Sequence, residues 1–363
     1  MKILWLTNIP SPYRVDFFNE FGKRCELTVL FEKKLSDERD DSWKAFKAEN
    51  FEAVFLSGKS VRTDSAFCFG VIKYLKKSTY DHIVVSNFFD VTGMMAIAAL
   101  RARKIPYIVE SDGGFPGSGK GLKEELKRWL LKGAKAYFST ADSHDDYYLT
   151  YGARKEALLR YPFTSLWNAD ISDIPVSAET KAKLREKLGV SESRMIVAVG
   201  QFIHRKGFDV LIEAMAKVSS DVGCYIVGGT PTAEYLELVK KLNLKNIHFV
   251  GFKSKPELVE YYTAADVFVH PTREDIWGLV INEAMAKGLP VITTDRCIAG
   301  LELITSDAFG KIVSVGDHNA LANAITETLE SGSSVRSEKI LIAIREYTLE
   351  KMAERHIEVL KAL

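Results

Sequence analysis

Short apolar, β-branched runs alternate with longer segments of helical period from one end of the chain to the other. In the first half the runs are KILWLT, ELTVLF, AVFL, HIVVS, PYIVE and AYFS; in the second they are MIVAVG, CYIVGG, IHFVG, VFVHP, PVITT and KIVSV. Strand, helix and strand repeated in this way predict an α/β fold of parallel sheets covered on both faces by helices. Between the halves, LLRYPFTSLWNADISDIP has no clean period and carries Pro162 and Pro175, which predicts a linker. The helix SAETKAKLREKLG then opens the second half. Two Rossmann-like, doubly wound domains are therefore expected, residues 1–165 and 166–347, facing a cleft. The helices after Ser334 lack a strand partner, and residues 348–363 are expected to complete the first domain. Sheets of this kind bind ligands at the carboxyl ends of their strands.

A length of 363 residues fits two such cores, and 47% hydrophobic with 27% charged residues is ordinary globular composition. The 49 Lys and Arg nearly cancel the 48 Asp and Glu, so no overall field favours nucleic acid and an anion site has to be local. Cys25, Cys68, Cys224 and Cys297 lie far apart, without CxxC or Cys/His spacing, which argues against a structural zinc or a disulfide framework. The N-terminal MKILWLTNIPSPYR has too short an apolar run for a signal peptide, and no run approaches the roughly 18 residues of a membrane span. A cytoplasmic location is expected, at most at the inner face of the cell membrane.

Three stretches carry candidate chemistry. GFPGSGK, Gly114 to Lys120, matches the phosphate-cradling P-loop, but Gly121 stands where a magnesium-binding Ser or Thr belongs. In VAVGQFIHRKGFDVLIEA, Arg205 and Lys206 precede a helix N-terminus, where cations oppose the macrodipole unless a polyanion joins them. In TREDIWGLVINEAMAKGLPVI, a helix taken to begin at Trp277 puts Val280, Ile281, Ala284 and Met285 on the Trp277 side, with Glu283 opposite. Gly288 and Pro290 stop it. By spacing alone, Asp275 reads as a helix cap and Glu283 as a solvated charge. Gly228 and Gly229 end one strand, and Gly251 with Phe252 follows another. With the cation pair and the two acids, these strand ends suit a nucleotide diphosphate bearing a hydroxyl-rich group.

At these residues the chain resembles the retaining glycosyltransferases of family 4, whose GT-B architecture has two Rossmann-like domains. The family's E-x7-E motif matches Asp275, Trp277, Gly278 and Glu283, followed by AMAKGLPVI; its strand-end G-R…K-G motif matches GQFIHRKG; YYTAADVFVHPT resembles the segment upstream. The resemblance implies a nucleotide sugar, UDP- or GDP-linked, as substrate. Glu283 would bind the ribose, Asp275 the donated sugar, and the backbone from Trp277 to Leu279 the sugar and phosphate. Lys206, helped by Arg205, would neutralise the diphosphate, with Gly251 and Phe252 beside the base. Asp275 stands where the family has Glu, and Gln201 where it has Arg. Asp112, with Gly113 in YIVESDGG, falls at the family's active-site histidine, and NIPSPYR replaces its first glycine turn, with Asn8, Tyr13 and Arg14 facing the cleft.

The resemblance thus implies transfer of a sugar to a saccharide or lipid-linked acceptor in cell-surface polysaccharide or glycolipid assembly. No D-x-D occurs, so neither a metal nor another cofactor is expected. In KGLKEELKRWLLKGAKAY, Leu122, Leu126, Trp129 and Leu130 fall on one side and Lys120, Lys127, Arg128, Lys132 and Lys135 largely on the other. That pattern suits either a half-buried helix with a basic face or peripheral contact with an anionic membrane. The rival functions are a P-loop ATPase or kinase using Gly114 to Lys120, and a nucleotide-binding module without catalysis.

Overall fold

The computed structural model describes residues 1–34, 47–117, 120–331 and 334–363. The chain forms two compact units, one of residues Met1–Ser165 with Thr348–Leu363, the other of Leu166–Tyr347.

The first unit runs β1 (Lys2–Thr7), α1 (Pro12–Gly22), β2 (Glu26–Phe31), β3 (Glu52–Phe55), β4 (Lys59–Arg62), β5 (Ser65–Phe67), β6 (His82–Val85), α2 (Val91–Ala102), β7 (Ile108–Glu110), α3 (Leu122–Lys132), β8 (Ala136–Ser139), α4 (Asp142–Thr150) and β9 (Leu158–Arg160). Seven strands make one sheet in the order β3-β2-β1-β6-β7-β8-β9, each pair parallel, and β4 with β5 forms a separate antiparallel hairpin. The inner strands β1, β6 and β8 are buried on both faces, which is why they appear as continuous apolar runs rather than alternating ones. On one face Leu4, Leu6, Val85 and Val109 pack with Ile97 and Leu100 of α2 and Leu130 and Leu131 of α3. On the other, Trp5 lies at 5.5–6.0 Å from the rings of Phe17, Phe18, Phe21 and Phe138.

The second unit runs α5 (Ala178–Leu188), β10 (Arg194–Val199), α6 (Phe208–Met215), β11 (Val222–Val227), α7 (Ala233–Lys241), β12 (Ile247–Val250), α8 (Lys255–Ala264), β13 (Val267–His270), α9 (Leu279–Met285), β14 (Val291–Thr294), α10 (Ile298–Leu303), β15 (Gly310–Val313), α11 (His318–Glu330) and α12 (Ser334–Ile344). Its six-stranded sheet has the order β12-β11-β10-β13-β14-β15, again wholly parallel. Ser177 caps α5 by accepting from the Thr180 amide, and Gly189 closes it in the left-handed conformation. The last helix, α13 (Leu349–Lys361), belongs to the first unit, where it packs on α1 and buries His356 against Trp5, Phe17, Phe21, Phe138 and Tyr161.

Two segments differ from the pattern-based expectation. The start of the presumed linker, Leu158–Arg160, is the edge strand β9, in register with β8. Three residues ending in an arginine are too few to show a period. The hairpin β4 and β5 also escaped, because every residue of β4 is exposed and none of its positions is selected for a core. In α3, Leu130 is buried with Leu131, whereas Leu122, Leu126 and Trp129 are exposed. Among the described residues no helix is long and apolar enough to cross a membrane.

Candidate functional site

In the second unit hydrogen bonds stitch the ends of β10 and β13 together. The turn His204–Lys206 follows β10, and the Arg205 carbonyl accepts from the Arg273 amide (2.8 Å) and the Thr272 hydroxyl (3.0 Å) beyond β13. Arg273 reaches back to the His204 carbonyl at 2.7 Å, and Arg205 donates to the Glu274 carbonyl at 2.8 Å. This lattice sets Lys206 Nζ 2.6 Å from Asp275 Oδ2, with Arg205 Nη1 3.7 Å from Oδ1. The same Oδ2 lies 3.1 Å from Nε2 of His270, the fully buried last residue of β13. Burial lowers the His270 imidazole pKa, so it is neutral and Nε2 carries the proton toward the carboxylate. Burial by itself would raise Asp275; the His270 hydrogen bond and the Lys206 charge reverse that and hold the carboxyl well below its ordinary range. Asp275 is therefore a fixed carboxylate whose second oxygen keeps hydrogen-bonding capacity.

Immediately after Asp275 the chain turns through Trp277, whose buried ring donates to Asn282 Oδ1 at 2.8 Å. Gly278 adopts φ +102°, where a Cβ would also lie 2.9 Å from Cys297 Sγ. Only glycine meets both conditions. Helix α9 consequently starts at Leu279, two residues later than a start at Trp277. It ends with Gly288 at φ +72°, the Leu289 amide bonded to the Ala284 carbonyl and the Gly288 amide to that of Met285. Ile281, Ala284 and Met285 are buried, while Val280 is only half-buried. Glu283 is not a solvated charge: the Tyr262 hydroxyl of α8 donates to it at 3.0 Å, and burial raises its carboxyl pKa. At the end of β11, a Cβ on Gly228 would lie 1.7 Å from the Gly200 carbonyl oxygen, so the β10 and β11 ends approach as only glycine permits. Gly229 is partly buried at the same strand end; Gly251 and Phe252, after β12, are exposed.

The first unit holds a second polar cluster at the carboxyl ends of its strands. Arg14 of α1 is buried and donates through Nη2 to both oxygens of Glu110, at 2.8 and 3.0 Å, and to Asp112. Tyr13 donates to the other Asp112 oxygen at 2.7 Å. Glu110, fully buried at the end of β7, also accepts from Ser86 and from Tyr161 at 3.1 Å. Asn8 accepts from the following amide at 2.8 Å and is half-buried, as is Gly113.

Several residues of these clusters escaped sequence reasoning. His270 looked like the end of a core strand, and Glu110 like the last residue of one. The histidine–proline pair and the acid closing an apolar run were the available signals. Only part of the P-loop candidate, Gly114 to Lys120, lies within the described residues. The Gly117 amide donates to the Tyr151 hydroxyl at 3.2 Å, and Ser118 and Gly119 lie outside the described residues. Among the described residues no group of three or more His, Cys, Asp or Glu is placed to hold a metal ion.

Comparison with known proteins bears on this geometry. Residues 180–360 match the family model of glycosyl transferases group 1, and residues 27–163 that of the glycosyl transferase 4-like domain. The chain is similar to the putative teichuronic acid biosynthesis glycosyltransferase TuaC of Bacillus subtilis, 27% identical over 275 residues, covering 70% of this chain and 64% of that protein. It is similar to the lipopolysaccharide glucosyltransferase WaaG of Escherichia coli, 34% identical over 119 residues, 31% of each chain. The matched part thus spans less than two thirds of either curated relative. Among solved structures it resembles HepE of Anabaena in complex with UDP and glucose, with a TM-score of 0.75, 19% identity and complete coverage of both chains.

Proposed function

The chain belongs to family 4 of the glycosyltransferases, group 1, and from that premise we propose that it moves a sugar from a nucleotide sugar to a saccharide or lipid-linked saccharide acceptor, with retention of configuration and without a metal. The role is in cell-surface polysaccharide or glycolipid assembly, as the names of its relatives suggest. The observation that carries this reading is the Lys206–Asp275–His270 cluster: a cation and a fixed carboxylate held 2.6 Å apart at the carboxyl ends of adjacent strands.

In sugar transfer the leaving diphosphate gains negative charge while the sugar approaches an oxocarbenium ion. Lys206, with Arg205, meets the diphosphate, and fixed positive charge there lowers the barrier because it needs no reorganisation. Asp275 Oδ1 accepts a hydroxyl of the donated sugar. The shorter side chain serves because Lys206 and His270 hold Oδ2 and so fix where Oδ1 lies. Glu283, oriented by Tyr262, accepts the ribose hydroxyls. The cations Lys206 and Arg205 take the place of a metal clamp, so turnover is expected to persist in excess chelator. UDP is the favoured carrier, since the HepE structures hold UDP and UDP-glucose.

Titration with UDP, GDP and their sugars tests the reading: Lys206→Ala and Glu283→Gln should weaken binding while Lys120→Ala leaves it intact. Loss of binding on Lys120→Ala alone would favour the P-loop reading, and binding without transfer or slow hydrolysis a non-catalytic module. The exposed Leu122, Leu126 and Trp129 on the lysine-rich α3 further suit contact with anionic lipid. Salt-sensitive sedimentation with anionic liposomes is expected, and none at low salt would remove this part of the proposal.

A further inference from the structure

Around Arg14 one guanidinium serves two carboxylates. Glu110 accepts from Arg14 through both oxygens, from Ser86 and from Tyr161, and it is fully buried. All of these partners are donors, and between them they occupy both Glu110 oxygens. Ser86 is itself fixed, accepting from Trp5 Nε1 at 2.8 Å, so the chain of bonds runs from the aromatic core to the strand end. Among the described residues the Asp112 side chain accepts from Tyr13 and from the shared Arg14 Nη2, and it keeps 24% exposure. Two negative charges against one positive leave a net negative charge, and Asp112 is the partner that solvent and ligands can reach.

We propose that Glu110 is a positioning residue: it takes up the charge of Arg14 and fixes its direction, so that Asp112 remains an incompletely neutralised carboxylate that accepts a hydrogen bond from a sugar hydroxyl. This rests on the glycosyltransferase reading for the identity of the ligand, though not for the coupling between the two acids. Burial, followed by the Glu110 charge, raises the Asp112 carboxyl against the opposing pull of Arg14 and the Tyr13 hydrogen bond. The groups facing it are Tyr13 and Arg14 from α1, Glu110 from β7 and, across Arg14, Tyr161 after β9. Burial raises both tyrosines, so they stay neutral. The nearby imidazoles, His144 against Ser111 and His356 beside Arg14, are each pushed down to about 3 by burial and are neutral through the working range. Glu110 and Arg14 are thus the charges that set the state of Asp112.

The test is Glu110→Gln, which keeps the shape and removes the charge. In the full chain labelled at its aspartate carboxyl carbons, the Asp112 titration should move down by about one pH unit, because Arg14 then serves Asp112 alone. The acid limb of kcat/KM should move down with it. Tyr161→Phe, which keeps the Glu110 charge, should produce no downward shift and serves as the second variant if Glu110→Gln folds poorly. An Asp112 titration unmoved in folded Glu110→Gln, or lowered equally in Tyr161→Phe, would overturn the inference. Asp112→Asn separates it from the functional reading: full transfer activity in that variant would refute the role of Asp112 in sugar binding, whereas the titration would still report the coupling.

Discussion

Replacing Lys206 by alanine separates the two partners that its ammonium serves. Lys206 Nζ lies 2.6 Å from Asp275 Oδ2, and both side chains are about seven-eighths buried, with 14% and 12% exposure. Removing the cation leaves a carboxylate held by the neutral His270 and the more distant Arg205. Breaking a fully buried pair costs about 3–5 kcal/mol, so about 2–4 kcal/mol of folding stability should be lost at this slightly open site. The sign with pH follows from the depressed Asp275 carboxyl: its contribution is present above the ordinary aspartate range and is lost as pH falls through its folded value. The difference between wild type and Lys206→Ala should therefore shrink in acid. For the ligand, one charge-assisted hydrogen bond to phosphate contributes about 1.5–3 kcal/mol, or about 10- to 150-fold in affinity. Calorimetric titration should show that loss for UDP and almost none for uridine. The double variant Lys206→Ala/Asp275→Asn should recover stability, because no buried charge is stranded, but should not recover UDP affinity. Equal weakening of UDP and uridine, or recovery of both quantities in the double variant, would refute the assignment of Lys206 to the diphosphate.

Two further outcomes concern the fold. His144 and His356, each lowered to about 3 by burial, remain uncharged in the folded chain while the unfolded chain protonates near 6.5. Stability should be complete above about pH 6.5 and fall toward pH 3, by about 2 kcal/mol per histidine at pH 5; His356→Phe, placed among five aromatic rings, should reduce the urea-midpoint difference between pH 7 and pH 5. Gly228→Ala should cost about 1–3 kcal/mol by forcing the β10 and β11 ends apart, and should weaken nucleotide binding beyond what its thermal midpoint explains, because Lys206 follows the β10 end that Gly228 packs against.

The inner strands of both sheets were legible because burial on both faces writes them as uninterrupted apolar runs, such as KILWLT and MIVAVG. Elements with no core to serve were not: β4 is fully exposed, and β9 is three residues long. The start of α9 was misplaced by two residues because a helical wheel sees the apolar Trp277 but not the left-handed φ of Gly278. In the candidate site, motif spacing singled out Asp275, Glu283 and Lys206, yet it could not show what holds them. His270 and Tyr262 act across strands and helices, 5 and 21 residues from their partners, and both look like core residues in sequence. Glu110 was hidden for the same reason, since an acid closing an apolar run has no visible partner until Arg14, 96 residues away, is folded onto it.

The central claim, that the second unit grips a nucleotide sugar through Lys206, Asp275 and Glu283, is tested most directly by a thermal-shift panel of UDP, GDP, ADP and their sugars. The account predicts that one nucleotide diphosphate and its sugar raise the melting temperature without added metal, and that Lys206→Ala and Glu283→Gln each diminish the rise. If none of them raised it, while ATP with magnesium did so in a manner abolished by Lys120→Ala, the account would be contradicted.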